Sequence, residues 1–495
     1  MITLTLVSHT NVGKTTLART LLAQDVGEVR DAPHVTEFTD EHVLLRSAGG
    51  AELIVADTPG FGDSVRLASR MRQSGSPLGW FLSAVWDRWR DRAFWASQQV
   101  LRHVRDRADV VLYLVNAAEE PVTAGYVASE MELLAWVEKP VLVLLNQMGP
   151  PTDAAAEAKE VQRWRDALAQ WPLVRAVLPL DAFARCWVQE GALWREIEQS
   201  LPADRQAEMR DLRAAWGAQR LATFDDAMRT LAASIARIAT ARVALDDGGG
   251  ASTLRQLGSA IGVGKADSSP LDIAQQALQR ALDEEVKSST DSLLTLHSLH
   301  GDAGKTIVER VTTGFDWRHR TDEGRAALIG AVASGALTGL AHDIATGGFT
   351  LGGGVVAGTV LGALAAAGIA RGLNVVRGTD KSWVGWHAEA LTPVLRSALL
   401  RYLAVAHFGR GRGNWAEGES PSHWAPVVDA ALAARADALA ELWQHRGNRY
   451  DNPGEAESLA ADLQPILAAA ARETLERLYP GQWPEKPDPA AYRHG

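Results

Sequence analysis

Short apolar runs separated by polar, glycine-containing breaks mark the first third of the chain. Four of these runs are rich in Val, Leu and Ile and occupy residues 2–7, 53–56, 110–115 and 141–145. Runs of this length, bounded by turn residues and alternating with helical patterns, are typical of strands buried on both faces of a parallel sheet. We therefore predict an α/β domain over residues 1–200, with a mostly parallel sheet and flanking helices.

Past residue 200 the apolar positions recur at helical spacing instead. Those of the first helical stretch lie three or four residues apart: Leu221, Phe224, Met228, Leu231, Ile235 and Ile238. This seam is about two and a half heptads long, which favours packing in a helix bundle over a coiled coil. We predict an all-α C-terminal half with a helical domain at 201–323, a Gly-rich apolar helical hairpin at 324–380 and a C-terminal helical region at 381–495.

The Gly-rich segment 324–372 contains two charge-free runs of sixteen and twenty-seven residues, separated by His342 and Asp343. Several glycines are spaced four residues apart, as at Gly335/Gly339 and Gly354/Gly358, and this spacing lets helix backbones approach closely. Crossing a bilayer takes about 20 apolar residues, so the second run is long enough and the first is short. Basic residues flank the segment at Arg320, Arg325, Arg371, Arg377 and Lys381, as in a hairpin with both ends in the cytosol. Two interpretations stay open: a membrane hairpin, or a hairpin buried in a helix bundle or an oligomer interface.

A Trp-rich segment around residues 61–107 predicts a helical insertion in the first domain. Its apolar positions fall on one helical face: Leu78, Phe81, Leu82, Val85, Trp86, Trp89, Ala93, Ala96, Val100 and Val104. Charged side chains lie off that face at Arg88, Arg90, Asp91 and Arg92. The pattern allows an amphipathic helix packed on the first domain, or a helix that docks on a partner or a membrane surface.

The segment Ser8–Thr16 follows the first predicted strand directly and precedes a predicted helix. It matches the phosphate-loop pattern G-x-x-x-x-G-K-[ST] except that Ser8 stands in place of the first glycine. In such a loop the backbone N–H groups and the helix N-terminus surround phosphates. Lys14 is expected to reach the β- and γ-phosphates, and the Thr15 hydroxyl to bind Mg²⁺. This strand–loop–helix context predicts a P-loop NTPase.

A second motif, Asp57-Thr58-Pro59-Gly60, follows the apolar run at 53–56. P-loop NTPases hold Mg²⁺ with a carboxylate at the end of a neighbouring strand, which assigns Asp57 to the metal. Gly60 is expected to turn its backbone N–H toward the γ-phosphate, because glycine tolerates the required backbone angles. Thr36, in the polar segment between the two motifs, is expected to complete the Mg²⁺ shell.

The predicted site has three overlapping groups of residues. The predicted catalytic residues are Lys14, Thr36 and Gly60, and the predicted Mg²⁺ ligands are Thr15, Thr36 and Asp57. The predicted nucleotide-binding residues are Asn11, Val12, Gly13, Lys14, Thr15, Thr16 and Asn146.

The sequence indicates less clearly which base the bound nucleotide carries. Guanine is usually recognised by Asn-Lys-x-Asp at the end of the fourth parallel strand, where the Asp accepts two N–H groups of the base. This chain has Asn146 but carries Gln147 and Gly149 at the other two positions. A contact of that kind discriminates strongly against the wrong base, so the choice between GTP and ATP stays open.

Residues 1–200 resemble the Era-like branch of bacterial GTPases, in a group that joins such a domain to a C-terminal domain of unknown function. The resemblance lies in the two phosphate-site motifs, the segment ending in Thr36, and residues 112–117, 139–142 and 164–168. It implies GTP and GDP as ligands. It also implies K⁺ held by Asn11, because Era-like enzymes with Asn in the loop place K⁺ beside the nucleotide; the alternative role for Asn11 is to brace the loop by hydrogen bonding. Phe61 stands where Ras-like enzymes have a water-positioning Gln.

Composition narrows the function classes. The chain has 495 residues, a net charge of −10 and one cysteine, Cys186. The acidic balance argues against a chain built to bind nucleic acid, so no nucleic acid partner is predicted. A single cysteine fits a reducing compartment, and Met1 opens the first strand without a preceding signal peptide. We therefore expect a cytoplasmic protein, and the membrane interpretation of the Gly-rich hairpin would make it peripheral to, or hairpin-anchored at, the inner membrane.

Two functions from different classes fit these observations. The first is a slow, Mg²⁺-dependent and K⁺-assisted GTPase whose nucleotide state controls the helical half at a membrane or a membrane-protein partner. The second is a non-hydrolysing nucleotide-binding scaffold with a degenerate G domain, which Ser8, Gln147 and Gly149 favour. A homo-oligomer is compatible with both, and a role in ribosome assembly is a third alternative.

Overall fold

A computed structural model describes most of the chain. The described residues are 1–9, 12–22, 39–73, 79, 81, 91–148, 154–180, 186–245, 270–299, 373–377, 382–407, 423–446 and 454–484. The predicted segment 324–372 lies outside them, as do Asn11, Thr36 and Gly149. Helices and strands are numbered here in chain order within the described ranges.

The N-terminal region alternates strands and helices as the apolar runs predict. Its strands are β1 (Ile2–Ser8), β2 (Asp40–Arg46), β3 (Glu52–Asp57), β4 (Val110–Asn116), β5 (Val141–Asn146) and β6 (Val174–Pro179). Its helices are α1 (Lys14–Leu22), α2 (Ser64–Arg72), α3 (Arg92–Arg107), α4 (Gly125–Ala135) and α5 (Ala154–Leu168). They are followed by α6 (Trp187–Ser200) and α7 (Ala203–Thr240).

The six strands form one sheet in the order β2-β3-β1-β4-β5-β6. The strands β3, β1, β4, β5 and β6 are parallel, and only β2 runs antiparallel to its neighbour β3. Strands β1 and β5 are buried along their whole length, which explains why both are rich in Val, Leu and Ile, although β1 also buries Thr3 and Thr5. The edge strand β2 is mostly exposed and correspondingly polar. The predicted α/β fold with a mostly parallel sheet is confirmed.

Helix α3 accounts for the described end of the Trp-rich insertion. Its apolar side chains Phe94, Val100, Leu101 and Val104 are buried, and the same face joins the core that includes β4 and α2. The guanidinium groups of Arg66 and Arg70 on α2 lie 4.5 Å and 5.2 Å from the Phe94 ring centroid, which are cation–π distances. Helix α3 therefore packs on the first domain, as one of the two interpretations predicted. Trp86 and Trp89 lie outside the described residues.

Two compact units divide the chain. The first comprises residues 1–222 together with the described residues 406–407 and 479–484, and the second comprises the described residues of 223–405 and 423–478. The predicted boundary at residue 200 therefore falls inside the first unit. Two contacts hold residues 479–484 in the first unit. The ring of Trp483 packs edge-on against that of Trp187 on α6, with centroids 5.5 Å apart, and the Tyr479 hydroxyl lies 2.6 Å from His407 Nε2.

The second unit is mainly helical. Its helices are the end of α7, α8 (Pro270–Leu296), α9 (Ala388–Ala406), α10 (Trp424–Ala433), α11 (Ala436–His445) and α12 (Glu455–Leu478). The apolar seam predicted at 221–238 is buried at Phe224, Met228, Leu231, Ile235 and Ile238. The predominantly helical C-terminal half is thus confirmed.

A small antiparallel sheet corrects the expectation that this half contains helices alone. Strands β7 (Arg242–Leu245), β8 (Leu373–Arg377) and β9 (Ser382–Trp386) pair in the order β7-β9-β8. Strand β8 also lies inside the segment 324–380 that was predicted as a helical hairpin. Each strand is only four or five residues long, and β7 pairs with a strand far along the chain. Strands this short give too few positions for a period-2 pattern to stand out in the sequence.

Among the described helices, none combines the length and the apolar character needed to span a bilayer. The segment 324–372, on which the membrane hypothesis rests, lies outside the described residues.

Candidate nucleotide site

The phosphate loop connects the end of β1 to the first residue of α1. Gly13 has a φ of +97°, and a Cβ built on it would lie 2.7 Å from Asn146 Nδ2. Both the positive φ and the close approach exclude any residue with a side chain without local movement. The helix begins at once, since Leu17 N–H donates to the Gly13 carbonyl at 2.9 Å. The predicted strand–loop–helix context is therefore present in the structure.

Lys14 is buried at the first position of α1. Its Nζ donates a hydrogen bond to Ser8 Oγ at 3.1 Å, so the residue that replaces the expected glycine holds the lysine side chain. The Ser8 hydroxyl in turn donates to the His9 carbonyl. Burial lowers the pKa of Lys14, and the nearby carboxylates Asp57 and Glu130 oppose that shift.

Asp57 ends β3 beside α1, because β3 and β1 are parallel neighbours in register at Leu6. The Thr15 hydroxyl donates to Asp57 Oδ2 at 2.5 Å, which brings two predicted Mg²⁺ ligands together. The other oxygen, Oδ1, is buried and has no hydrogen-bond partner among the described residues. Burial raises the pKa of the Asp57 carboxyl, while Lys14 and the Thr15 hydroxyl oppose that shift.

This donor set fits a magnesium ion. Mg²⁺ is usually bound by one or two protein oxygens, with substrate phosphates and waters filling the other positions. A hydroxyl and a carboxylate oxygen in contact, with a second carboxylate oxygen left without a partner, provide such a partial shell. In the described part of the chain no cluster of three or more His, Cys, Asp or Glu side chains forms a separate metal cage.

Asn146 lies at the end of β5 and is completely buried. The side-chain Nδ2 of Asn146 donates to the Val12 carbonyl at 2.6 Å, and the backbone carbonyl of Asn146 accepts from Ala117 N–H at 2.8 Å. The side chain therefore holds the phosphate loop in place from the neighbouring strand. Gln147 follows with a φ of +57°, which side-chain-bearing residues adopt rarely. Contact of Asn146 with a base stays a prediction.

The segment after Asp57 is held against the phosphate loop by the backbone. Thr58 Oγ1 donates to the Leu6 carbonyl at 2.6 Å, and Phe61 N–H donates to the Ser8 carbonyl at 2.9 Å. Gly60 is buried between these two contacts. The Phe61 side chain is buried in the apolar core, so it offers no polar group for orienting a water.

The structure thus brings Val12, Gly13, Lys14, Thr15 and Asp57 to one edge of the sheet, with Thr16, Gly60 and Asn146 adjoining them in the loop, the following segment and the neighbouring strand. The roles predicted for Asn11 and Thr36 stay predictions, because both residues lie outside the described ranges.

Sequence reasoning did not identify two polar side chains behind the loop. His9 Nδ1 lies 2.7 Å from Glu130 Oε1, although the residues are 121 positions apart. The sequence carries one signal for this pair: Glu130 stands on the apolar face of α4 with Val127, Met131 and Leu134, all of which are buried. A charged residue on a buried helix face requires a polar partner.

Two family profiles match the chain. Residues 3–147 match a family described as a 50S ribosome-binding GTPase. Residues 165–464, more than half of the chain, match the domain of unknown function DUF3482. The chain belongs to the DUF3482 family. In this chain the DUF3482 region follows a segment that matches the GTPase family profile, as the sequence motifs predicted. Among curated proteins, none matches the DUF3482 chain at a significant level.

Two solved structures of Era resemble part of the chain at low identity. An Era variant from Aquifex aeolicus bound to GDP and AlF4⁻ is 20% identical, with a TM-score of 0.30, covering 40% of this chain and 56% of that chain. Era in complex with MgGDPNP and a segment of 16S ribosomal RNA is also 20% identical, with a TM-score of 0.29 and the same coverage. The DUF3482 chain therefore spans little more than half the length of these Era chains.

A bacterial dynamin pair described as sensing and tethering membranes is 9% identical, with a TM-score of 0.23. That match covers 96% of this chain and 71% of that chain. Similarity at this level carries no functional information.

Proposed function

We propose that this protein is a Mg²⁺-dependent nucleotide switch that binds GTP and GDP and hydrolyses GTP slowly. The observation that supports it best is the contact of Thr15 Oγ1 with Asp57 Oδ2 at 2.5 Å, beside the buried Lys14. A hydroxyl, a carboxylate and an ammonium group at one edge of a parallel sheet are the groups that P-loop GTPases use for Mg²⁺ and phosphates. The GTPase family match over residues 3–147 supports the same assignment.

In this proposal Thr15 and Asp57 hold the metal. Bound Mg²⁺ supplies positive charge at the β- and γ-phosphate oxygens. The phosphates are bound by the chain itself. The backbone N–H groups of Gly13, Lys14 and Thr15 bind phosphate oxygens at the N-terminus of α1, and the Lys14 ammonium neutralises the phosphate charge. Asn146 keeps the loop in the required shape by its hydrogen bond to Val12.

We further propose that K⁺ assists hydrolysis through Asn11. Phe61 replaces the water-positioning side chain and is buried, so the protein needs another source of positive charge or water orientation near the γ-phosphate. The resemblance to Era-like enzymes with Asn at this loop position supplies K⁺ as that source.

Turnover of GTP and of ATP by the full-length chain, each measured in K⁺ and in Na⁺, tests these proposals together. We expect GTP to be hydrolysed, with a rate at least about tenfold higher in K⁺, a factor that corresponds to about 1.4 kcal/mol of barrier. Equal rates in both salts would remove the K⁺ proposal alone. Absence of turnover together with tight nucleotide binding would instead support the non-hydrolysing scaffold.

We also propose that residues 324–372 bring the protein to a membrane or a membrane-protein partner. The support is in the sequence: two charge-free runs interrupted only by His342-Asp343, with basic residues on both flanks. We expect full-length protein to float with liposomes containing anionic lipid, and a variant with 324–372 replaced by a Gly/Ser linker of equal length to stay at the bottom of the gradient. If the full-length chain sediments like that variant, with and without nucleotide, the segment serves as protein core or oligomer interface.

A further inference from the structure

Glu130 is a completely buried carboxylate directly behind the phosphate loop. It lies in the middle of α4, and each of its oxygens is in hydrogen-bond contact with a described side chain. His9 Nδ1 lies 2.7 Å from Oε1, and the Tyr113 hydroxyl donates to Oε2 at 2.6 Å. Burying a charged group in an apolar core is costly unless it is paired and hydrogen-bonded. The contacts with His9 and Tyr113 lower the free-energy cost of burying Glu130 but do not remove it, so a carboxylate at this position is expected to have a role.

His9 connects this carboxylate to the nucleotide site. It is the first residue after β1, and its backbone forms an isolated parallel bridge with Phe61, just beyond Asp57-Thr58-Pro59-Gly60. Its ring stacks on Tyr126 of α4 with centroids 4.4 Å apart and planes 20° from parallel. The Tyr126 hydroxyl in turn donates to Glu119 Oε2 at 2.8 Å. The imidazole is therefore fixed on one side by a carboxylate and on one face by an aromatic ring.

The neighbouring residue Ser8 extends the connection to Lys14. Its carbonyl accepts from Phe61 N–H at 2.9 Å, and its hydroxyl accepts from Lys14 Nζ at 3.1 Å. A shift of His9 would move Ser8 with it, and so disturb both the lysine and the segment that follows Asp57. Glu130 also contributes directly to the electrostatic environment of Lys14.

We propose that Glu130 is a positioning residue for the phosphate loop: by holding the His9 imidazole it fixes the start of the loop against Phe61 and keeps Lys14 placed for a nucleotide. This inference deepens the proposed function, since the ligand that the loop is positioned for is a nucleoside di- or triphosphate. Glu130 touches no phosphate itself and acts through His9.

The test uses full-length protein, with the release rate of a fluorescent GDP analogue and GTP turnover as separate readouts. We expect Glu130→Gln, which keeps the side-chain shape, to release the analogue about tenfold faster and to lower turnover. His9→Phe, which keeps a ring for stacking on Tyr126 and removes the nitrogen, should have the same effect. Because the two residues act through one contact, the double variant should release the analogue no faster than either single variant.

Glu132→Gln is the matched control. Glu132 lies two residues further along α4, where it pairs with Arg72 of α2 at 2.7 Å at a more exposed site. The same change of Glu to Gln there should leave release within about twofold of the unchanged protein.

Three outcomes separate the possibilities. The positioning role would be overturned if Glu130→Gln and His9→Phe released the GDP analogue at the rate of the control. Strictly additive effects in the double variant would overturn it as well. If Glu130→Gln does not fold, His9→Phe decides alone, because the His9 side chain is 33% exposed and its replacement tolerates solvent. If the unchanged protein binds the analogue without hydrolysing GTP, the proposed hydrolysis fails, while the release rates still decide the role of Glu130.

Discussion

Replacing Lys14 with Ala is expected to abolish nucleotide binding, raising the Kd for GTP by about 100-fold or more. The side chain is buried beside Asp57 and supplies the positive charge at the N-terminus of α1. Hydrogen bonds to charged groups contribute about 1.5–3 kcal/mol each, and losing this one also leaves phosphate charge uncompensated. Calorimetric titration of the full-length protein with GTP and with GDP, in the presence of Mg²⁺, measures the change.

Two further variants make this result specific. Lys14→Met fills most of the volume of the buried side chain and should lose binding just as Lys14→Ala does. Lys159→Ala removes a lysine from the exposed face of α5, outside the site, and should bind GTP with unchanged affinity. Undiminished affinity of either Lys14 variant would show that phosphates bind elsewhere, and the P-loop assignment would then be wrong.

Asp57→Asn is expected to lower GTP turnover by about 100-fold, which corresponds to about 2.7 kcal/mol of transition-state stabilisation. The substitution keeps the side-chain volume and an oxygen that can accept from the Thr15 hydroxyl, but it removes the negative charge that would hold Mg²⁺. We therefore also expect Mg²⁺ to tighten GTP binding to the unchanged protein and to have little effect on the variant. Titrations with excess Mg²⁺ and with EDTA provide that comparison.

Stability measurements distinguish a metal effect from a folding effect. Replacing Asp57 with Asn removes a costly buried carboxylate but also the charge that compensates the buried Lys14, so the two effects offset each other and the Tm without nucleotide should change little. Asp166→Asn, at an exposed position of α5, is the control and should alter neither turnover nor the Mg²⁺ response. An Asp57→Asn protein that retains normal Mg²⁺-dependent turnover would contradict the assignment of the metal ligands.

Much of the first domain was predictable because its determinants are local. A strand buried on both faces is predominantly apolar, so β1, β4 and β5 stand out in the sequence even though β1 contains two threonines. The phosphate loop is equally local: Gly13, Lys14 and Thr15 are consecutive, and the positive φ of Gly13 explains why glycine is required there. Asp57 could be assigned to the same site from the sequence, because parallel neighbouring strands end at the same edge of the sheet.

The features that the sequence did not predict depend on distant pairings. Strand β7 pairs with β9 across about 140 residues, and neither strand is long enough to show a pattern by itself. The return of Trp483 to α6 involves a tail whose sequence does not indicate its partner. The hydrogen bond from the Asn146 side-chain amide to the Val12 carbonyl was also not predicted, while contact of Asn146 with a base stays a prediction.

The sequence by itself determined the α/β domain, the phosphate loop, the Asp57 motif and the helical character of the C-terminal half, because each of these is encoded by neighbouring residues or by a regular spacing. Only the tertiary structure decided which polar groups meet: Thr15 with Asp57, Asn146 with Val12, and His9 with Glu130. These contacts join residues 42 to 134 positions apart, and their energies depend on burial and on distances of about 3 Å. A linear pattern contains neither quantity, so the sequence predicted the groups of the site but not the hydrogen bonds that join them.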